Sequence, residues 1–376
     1  MSADARSRPA DAPVRVAYAI EQSWHAHPGG TAVAALRVAR ALVERDEVDV
    51  RFVAGKHPGP PPAAFAPPGP VAMLPLGGAV LYEAWTRLRW PKVEAVTGAV
   101  DVAHATGLIP CATGVPLVVT VHDVAFVRAP EQFTRHGVRL MRRSLDVARR
   151  RADRVICSSL ATHADLVDLG FGDDRLRVVP LGVDAAPATA DERHGARARH
   201  DLPERFALFV GTLEPRKNLR RLVAALAELA HAGRALPLVV VGADGWGDVR
   251  AGLEREAGDV DVRFLGSVDE STLRGLYASA TVFAYPSERE GFGLPVAEAM
   301  AQGAPVVTSR GTSTEEVAGG AAVLVDPFDV ADVARGLDEA LDRADELAGA
   351  GRRRARELTW SRTADATLAV YRELAP

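Results

Sequence analysis

The 376 residues contain only two cysteines, Cys111 and Cys157. Two thiols cannot build a disulfide framework, and neither has the neighbours of a metal-binding motif, so a stapled scaffold and a zinc module are both excluded. A reducing cytoplasm is the expected setting. Long apolar runs are missing too: nothing approaches the roughly 20 residues needed to span a bilayer. Strong charge is absent, since 45 Lys and Arg against 49 Asp and Glu leave a net charge of -4. That balance gives no general pull toward nucleic acid. Residues 1–13 are polar and rich in Ala, Asp, Arg and Pro. Without the apolar core of a signal peptide they read as a disordered tail.

What is present is an alternation. Hydrophobic residues at 48% and charged residues at 25% are ordinary globular values, and the length exceeds the roughly 250–300 residues at which single cores stop growing. Short runs rich in Val, Ile and Leu at 14–20, 48–54, 101–105, 117–121, 154–157 and 177–180 read as buried strands. Helical stretches lie between them; in 31–45, Ala32, Ala35, Leu36, Ala39, Leu42 and Val43 share one face. The rhythm breaks at 183–198, an irregular linker of low hydrophobicity, and restarts with strands at 206–210, 238–241, 262–265, 282–285, 305–308 and 322–325. Asn218 is placed to cap a helix over 219–232 and Asp269 one over 270–279. Strands alternating with helices imply parallel sheets covered on both faces. The expectation is an α/β protein of two doubly wound domains, with ligands bound outside the strand carboxyl ends in the cleft between them.

Two segments stand apart. Residues 55–70 hold seven prolines and read as a surface loop. Residues 139–154 form a helix candidate with seven arginines. A solvated face is one reading, and contact with an anionic membrane surface or a phosphorylated acceptor is the other.

Two segments carry chemistry. The first runs from Val210 through Gly211-Thr212-Leu213-Glu214-Pro215-Arg216-Lys217-Asn218, at a strand-to-helix corner. Gly211 permits a tight exit, and Arg216 and Lys217 fall at a helix N-terminus. Cations oppose the helix dipole there, so they need another reason, and a diphosphate supplies one. The competing reading is a pair of exposed cations, and exposure is expected when no ligand is bound. The second is Ser287-Glu288-Arg289-Glu290-Gly291-Phe292-Gly293-Leu294-Pro295, leading to Glu298. Its glycines let backbone N–H groups approach a ligand, and Pro295 suits a helix's first turn. Glu298 suits vicinal hydroxyls such as those of a ribose, and Glu290 a sugar hydroxyl or developing charge. Either acid alone would read as an ordinary first-turn residue.

Glu290 and Glu298, with Gly-Phe-Gly-Leu-Pro between them, resemble the signature of retaining GT-B glycosyltransferases. The Gly211–Asn218 segment resembles glycosyltransferase family 4, as do Val121-His122-Asp123 with Pro130-Glu131, Pro180-Leu181-Gly182-Val183-Asp184 and Glu316-Val317-Ala318-Gly319. The resemblance implies a GT-B fold of two Rossmann-like domains facing a cleft: 14–185 on the acceptor side, 186–360 for the nucleotide sugar, and a helix over 361–376 crossing back. It implies that Arg216 and Lys217 bind the donor diphosphate and Glu298 the ribose. Glu290 and the backbone of Gly291, Phe292, Gly293 and Leu294 would hold the sugar and β-phosphate. Gly211 lies at the same donor corner. Gly266 and Val268 would lie near the base, and Gly29 and Gly30 would approach the diphosphate. His122 would lie by the transferred sugar and Asp123 on the acceptor side. Related sequences continue the first glycine pair with Gly and Arg, where this chain has Thr31, Ala32 and Val33.

The implied activity is retaining hexosyl transfer from a nucleotide sugar, GDP-mannose favoured over a UDP sugar, to a saccharide, lipid-linked or small-molecule hydroxyl. His122, Arg216, Lys217 and Glu290 are the candidate catalytic residues. No cofactor and no metal are expected; Asp259-Val260-Asp261 reads as a solvated turn. A GT-B-like phosphorylase or epimerase, or a nucleotide-sugar-binding scaffold, are the alternatives. The expected location is cytoplasmic, with peripheral membrane contact as a further reading.

Overall fold

The computed structural model describes residues 12–25, 29–245 and 248–375. Two compact units divide the chain: one runs to Gly182 and takes in the segment from Trp360, and the other is Val183–Thr359.

The first unit contains strands β1 (Val14–Ala19), β2 (Val48–Ala54), β3 (Val71–Met73), β4 (Val102–Ala105), β5 (Leu117–Val121), β6 (Arg154–Cys157) and β7 (Leu176–Val178). They form one sheet in the order β3-β2-β1-β4-β5-β6-β7, with every pairing parallel. All five residues of β5, Leu-Val-Val-Thr-Val, are buried, as a strand covered on both faces requires. One face packs around Trp85, Val119 and Phe126, the other around Tyr18, Leu42, Leu368 and Tyr371. The terminal helix Trp360–Arg372 packs on helix Gly29–Val43.

The second unit contains β8 (Ala207–Val210), β9 (Leu238–Val241), β10 (Val262–Gly266), β11 (Val282–Tyr285), β12 (Val306–Ser309) and β13 (Val323–Val325). Their order is β10-β9-β8-β11-β12-β13, again all parallel. In both sheets the order reverses beside the first strand, between β1 and β4 and between β8 and β11. Such switch points open a crevice at the strand carboxyl ends.

Several local expectations need correcting. The helix expected over 31–45 is Gly29–Val43, so Gly29 (φ 61°) and Gly30 belong to its first turn. The segment 183–198 contains helix Ala190–Arg199, started by a reciprocal capping box of Thr189 and Glu192. The arginine-rich helix is Arg135–Arg151, capped by Thr134, while Arg154 belongs to β6. Asp269 does cap its helix through Thr272 N. Asn218 does not cap: it is left-handed (φ 63°), and its amide donates to Pro286 O and Pro327 O at 2.9 and 2.6 Å. Among the described residues no helix is long and apolar enough to cross a membrane.

Candidate functional site

The two chemistry-bearing segments of the second unit follow β8 and β11, the strands that flank its switch point. After β8 the chain leaves through Gly211 and turns through a short 3-10 helix, Pro215–Lys217. That turn sends Lys217 inward under β11, where Nζ stands 2.6 Å from Glu290 Oε1 and 2.5 Å from Tyr285 OH. Arg216 NH1 lies 3.1 Å from Glu290 Oε2 and donates to Arg289 O at 3.0 Å, and its Nε faces Glu214 Oε2 at 2.8 Å. Two cations and two carboxylates therefore neutralise one another. The expectation that Arg216 and Lys217 are exposed fails: their side chains are 17% and 8% exposed, and that of Glu290 is 9%. Burial alone would raise the Glu290 pKa, but the charges of Lys217 and Arg216 outweigh it and hold the carboxyl down to about 2. Glu290 is an anion at any working pH.

After β11 the loop is tied to the first segment by Glu288 N, which donates to Arg216 O at 2.9 Å. Ser313 Oγ donates to Glu290 O at 2.8 Å. Gly291, Phe292 and Gly293 are buried. Gly293 has φ 102°, and a Cβ there would come 2.6 Å from the Thr314 Cγ2 methyl; only glycine fits. Helix Leu294–Gln302 starts from it, with Pro295 in its first turn. Its leading N–H groups form an anion-favouring terminus beside the ion cluster. Glu298, one turn on, accepts from Tyr277 OH at 2.8 Å. Gly266 ends β10 at the far side of β9, its oxygen accepting from Gly242 N at 2.9 Å. Neither Gly266 nor the half-buried Val268 is hydrogen-bonded to the ion cluster.

In the first unit, His122 and Asp123 follow β5 and line a cavity of about 330 Å³ at the carboxyl ends of β1, β4 and β5. His122 Nε2 is buried without a hydrogen-bond partner among the described residues. Burial pulls its pKa down, so the ring is held toward the neutral form. Asp123 Oδ1 accepts from Ala125 N at 3.0 Å. Gly29 and Gly30 are exposed at their helix start.

Comparison with known proteins shows the family and the fold. The profile of Glycosyltransferase Family 4 matches residues 28–186, and that of Glycosyl transferases group 1 matches 191–357. O-antigen chain mannosyltransferase B of Escherichia coli is 34% identical over 68% of this chain and 70% of its own. A D-inositol 3-phosphate glycosyltransferase of Salinispora tropica is 34% identical over 92% of this chain and 81% of its own. The chain belongs to glycosyltransferase family 4. Its activity class is sugar transfer from a nucleotide sugar. The glycosyltransferase also shares its fold, GT-B, with solved structures. One is Anabaena HepE in complex with UDP and glucose, with TM-score 0.71, 18% identity, and 96% and 100% of the two chains covered. Another is the sucrose-phosphate synthase of Thermosynechococcus elongatus, with TM-score 0.75, 22% identity, and 96% and 98% covered.

Sequence reasoning missed four residues that contact the candidate site: Glu214, Tyr277, Tyr285 and Ser313. Tyr285 had a readable signal, a polar-tipped aromatic ending a buried strand, whose hydroxyl must find a partner. Tyr277 and Ser313 lie on separate helices, and nothing local announces what they meet.

Proposed function

We propose that this chain is a retaining hexosyltransferase that uses a nucleoside diphosphate sugar, with GDP-mannose favoured, and an acceptor hydroxyl bound by the first unit. The observation that carries the reading is the buried Arg216–Lys217–Glu290 cluster beside the glycine-opened helix Leu294–Gln302. Breaking a glycosyl–phosphate bond puts negative charge on the departing diphosphate, and two fixed cations with a helix N-terminus stabilise it where it forms. The donor's phosphates enter a cluster already neutral, so Glu290 must yield Arg216 and Lys217 in part and turn to a sugar hydroxyl. Glu298 takes the ribose, and the base lies toward Gly266 and Val268. His122, held neutral, meets the transferred sugar. The two cations supply the neutralisation that a divalent ion would otherwise give, which supports a metal-independent reaction.

The E. coli relative's name supports a mannosyl donor, and the HepE complex supports a UDP sugar as the competitor. Exposed Arg135, Arg139 and Arg142 line one face of helix Arg135–Arg151, which supports contact with an anionic membrane surface. A thermal-shift panel of GDP, UDP and their sugars tests the donor reading. A ligand at 100 times its dissociation constant stabilises by roughly 2.7 kcal/mol, so GDP and GDP-mannose should raise the midpoint by several degrees. No shift with any nucleotide would refute it.

A further inference from the structure

The cavity beside His122 has a chemistry of its own. Its walls are formed chiefly by Trp85, Leu108, Ile109, Phe126, Phe133 and Met141. Among the described residues that line it there is no lysine or arginine, and the charged members are two carboxylates, Glu21 and Asp123. Most of its polar groups are already engaged. Glu21 accepts from Gly55 N and Gly78 N at 2.6 and 2.9 Å and faces His57 Nε2 at 3.1 Å. Gln22 donates to Thr106 Oγ1 at 2.5 Å, and His25 meets Tyr82 OH at 2.6 Å. His122 Nε2 is the one buried side-chain polar atom of this lining without a partner among the described residues.

We propose that the acceptor hydroxyl of this glycosyltransferase is carried on an uncharged, ring-shaped apolar body and not on a polyol phosphate. The proposal rests on the reading that the first unit binds the acceptor. A phosphate entering this cavity would give up its water, find two carboxylates, and gain no cation in return. An aromatic or alicyclic alcohol matches apolar walls that offer no cation: its ring replaces water against Trp85, Phe126 and Phe133, and its hydroxyl lies at the His122 and Asp123 end of the cavity. In this the chain departs from the relatives named as D-inositol 3-phosphate glycosyltransferases, whatever the shared donor chemistry.

The test uses the full chain and whichever nucleotide sugar it hydrolyses. Nucleoside diphosphate release is measured with no acceptor, with 2-naphthol, and with D-inositol 3-phosphate. The proposal expects 2-naphthol to accelerate release by about tenfold or more, a gain of roughly 1.4 kcal/mol, with a naphthyl glycoside seen by mass spectrometry. Inositol 3-phosphate should leave the acceptor-free rate unchanged. Met141→Lys, which sets a charge in the wall, should raise KM for 2-naphthol about tenfold, and the milder Phe133→Leu only a few-fold. A faster reaction with inositol 3-phosphate, no acceleration by either compound, or an unchanged KM in Met141→Lys would each overturn the proposal. If the wild-type chain turned over no nucleotide sugar at all, the transferase reading would fail first and this inference with it.

Discussion

At the scale of single residues, the Lys217–Glu290 pair does two jobs that pull against each other. With side chains only 8% and 9% exposed, it is a buried ion pair that the fold depends on as well as a candidate donor site. Breaking a buried pair strands one charge and costs about 3–5 kcal/mol, whereas replacing both members with apolar groups is often neutral. Lys217→Ala should therefore lose stability on that scale in urea denaturation, along with activity. Lys217→Met combined with Glu290→Leu should recover most of the stability and none of the activity. Equal stability of Lys217→Ala and the wild type would show that the pair is not buried in solution. Glu298 tests a different role. Its expected contact with ribose hydroxyls changes little between ground and transition states, so Glu298→Gln should raise the donor KM with kcat nearly unchanged. A charge-assisted hydrogen bond of about 1.5–3 kcal/mol sets the size of the effect. A lost kcat at unchanged KM would make Glu298 catalytic instead.

At the scale of elements, the terminal helix is tied to the first sheet by a buried polar network. His104 on β4 meets Tyr371 OH at 2.7 Å through Nδ1 and Thr120 Oγ1 on β5 at 2.8 Å through Nε2. Burial, with a smaller contribution from His122, holds the His104 pKa down to about 3. The unfolded chain titrates near 6.5 and so binds more protons than the fold between pH 6.5 and 3. The stability from this group is present in full above pH 6.5 and is lost as the pH falls toward 3. The urea midpoint should drop between pH 7 and pH 5, and His104→Asn should flatten that drop; an identical pH slope in the variant would contradict the assignment. All strands but β3 were legible in the sequence because a parallel strand buried on both faces is a short run of Val, Ile and Leu, and β5 and β9 are little else; β3, Val71–Met73, is an edge strand with no fully buried residue and was not read. Helix Ala190–Arg199 was not read, because it buries only Ala196 and has no apolar stripe. Its one signal was Thr189 three residues before Glu192. Asn218 misled for the opposite reason: a good capping residue type was drawn into a tertiary contact with Pro286 and Pro327.

At the scale of the whole molecule, each unit puts its polar chemistry at the reversal of its own strand order. The chemistry of the two segments and their resemblance to the family's motifs were enough to name Arg216, Lys217, Glu290 and Glu298 as candidates. What these could not give was their burial and pairing, because those come from β8 and β11 lying side by side although about 70 residues separate them. The two cations of the cluster, Arg216 and Lys217, are also the reason to expect chemistry without a divalent ion. The most direct test is the rate of nucleoside diphosphate release from GDP-mannose and UDP-glucose in excess EDTA, for the wild type and Arg216→Ala. The account predicts turnover by the wild type with at least one donor, and a fall of about 10²–10³ in the variant, the scale for removing one donor aimed at developing charge. Wild-type turnover in Arg216→Ala, or activity abolished by EDTA and restored by a divalent ion, would contradict it.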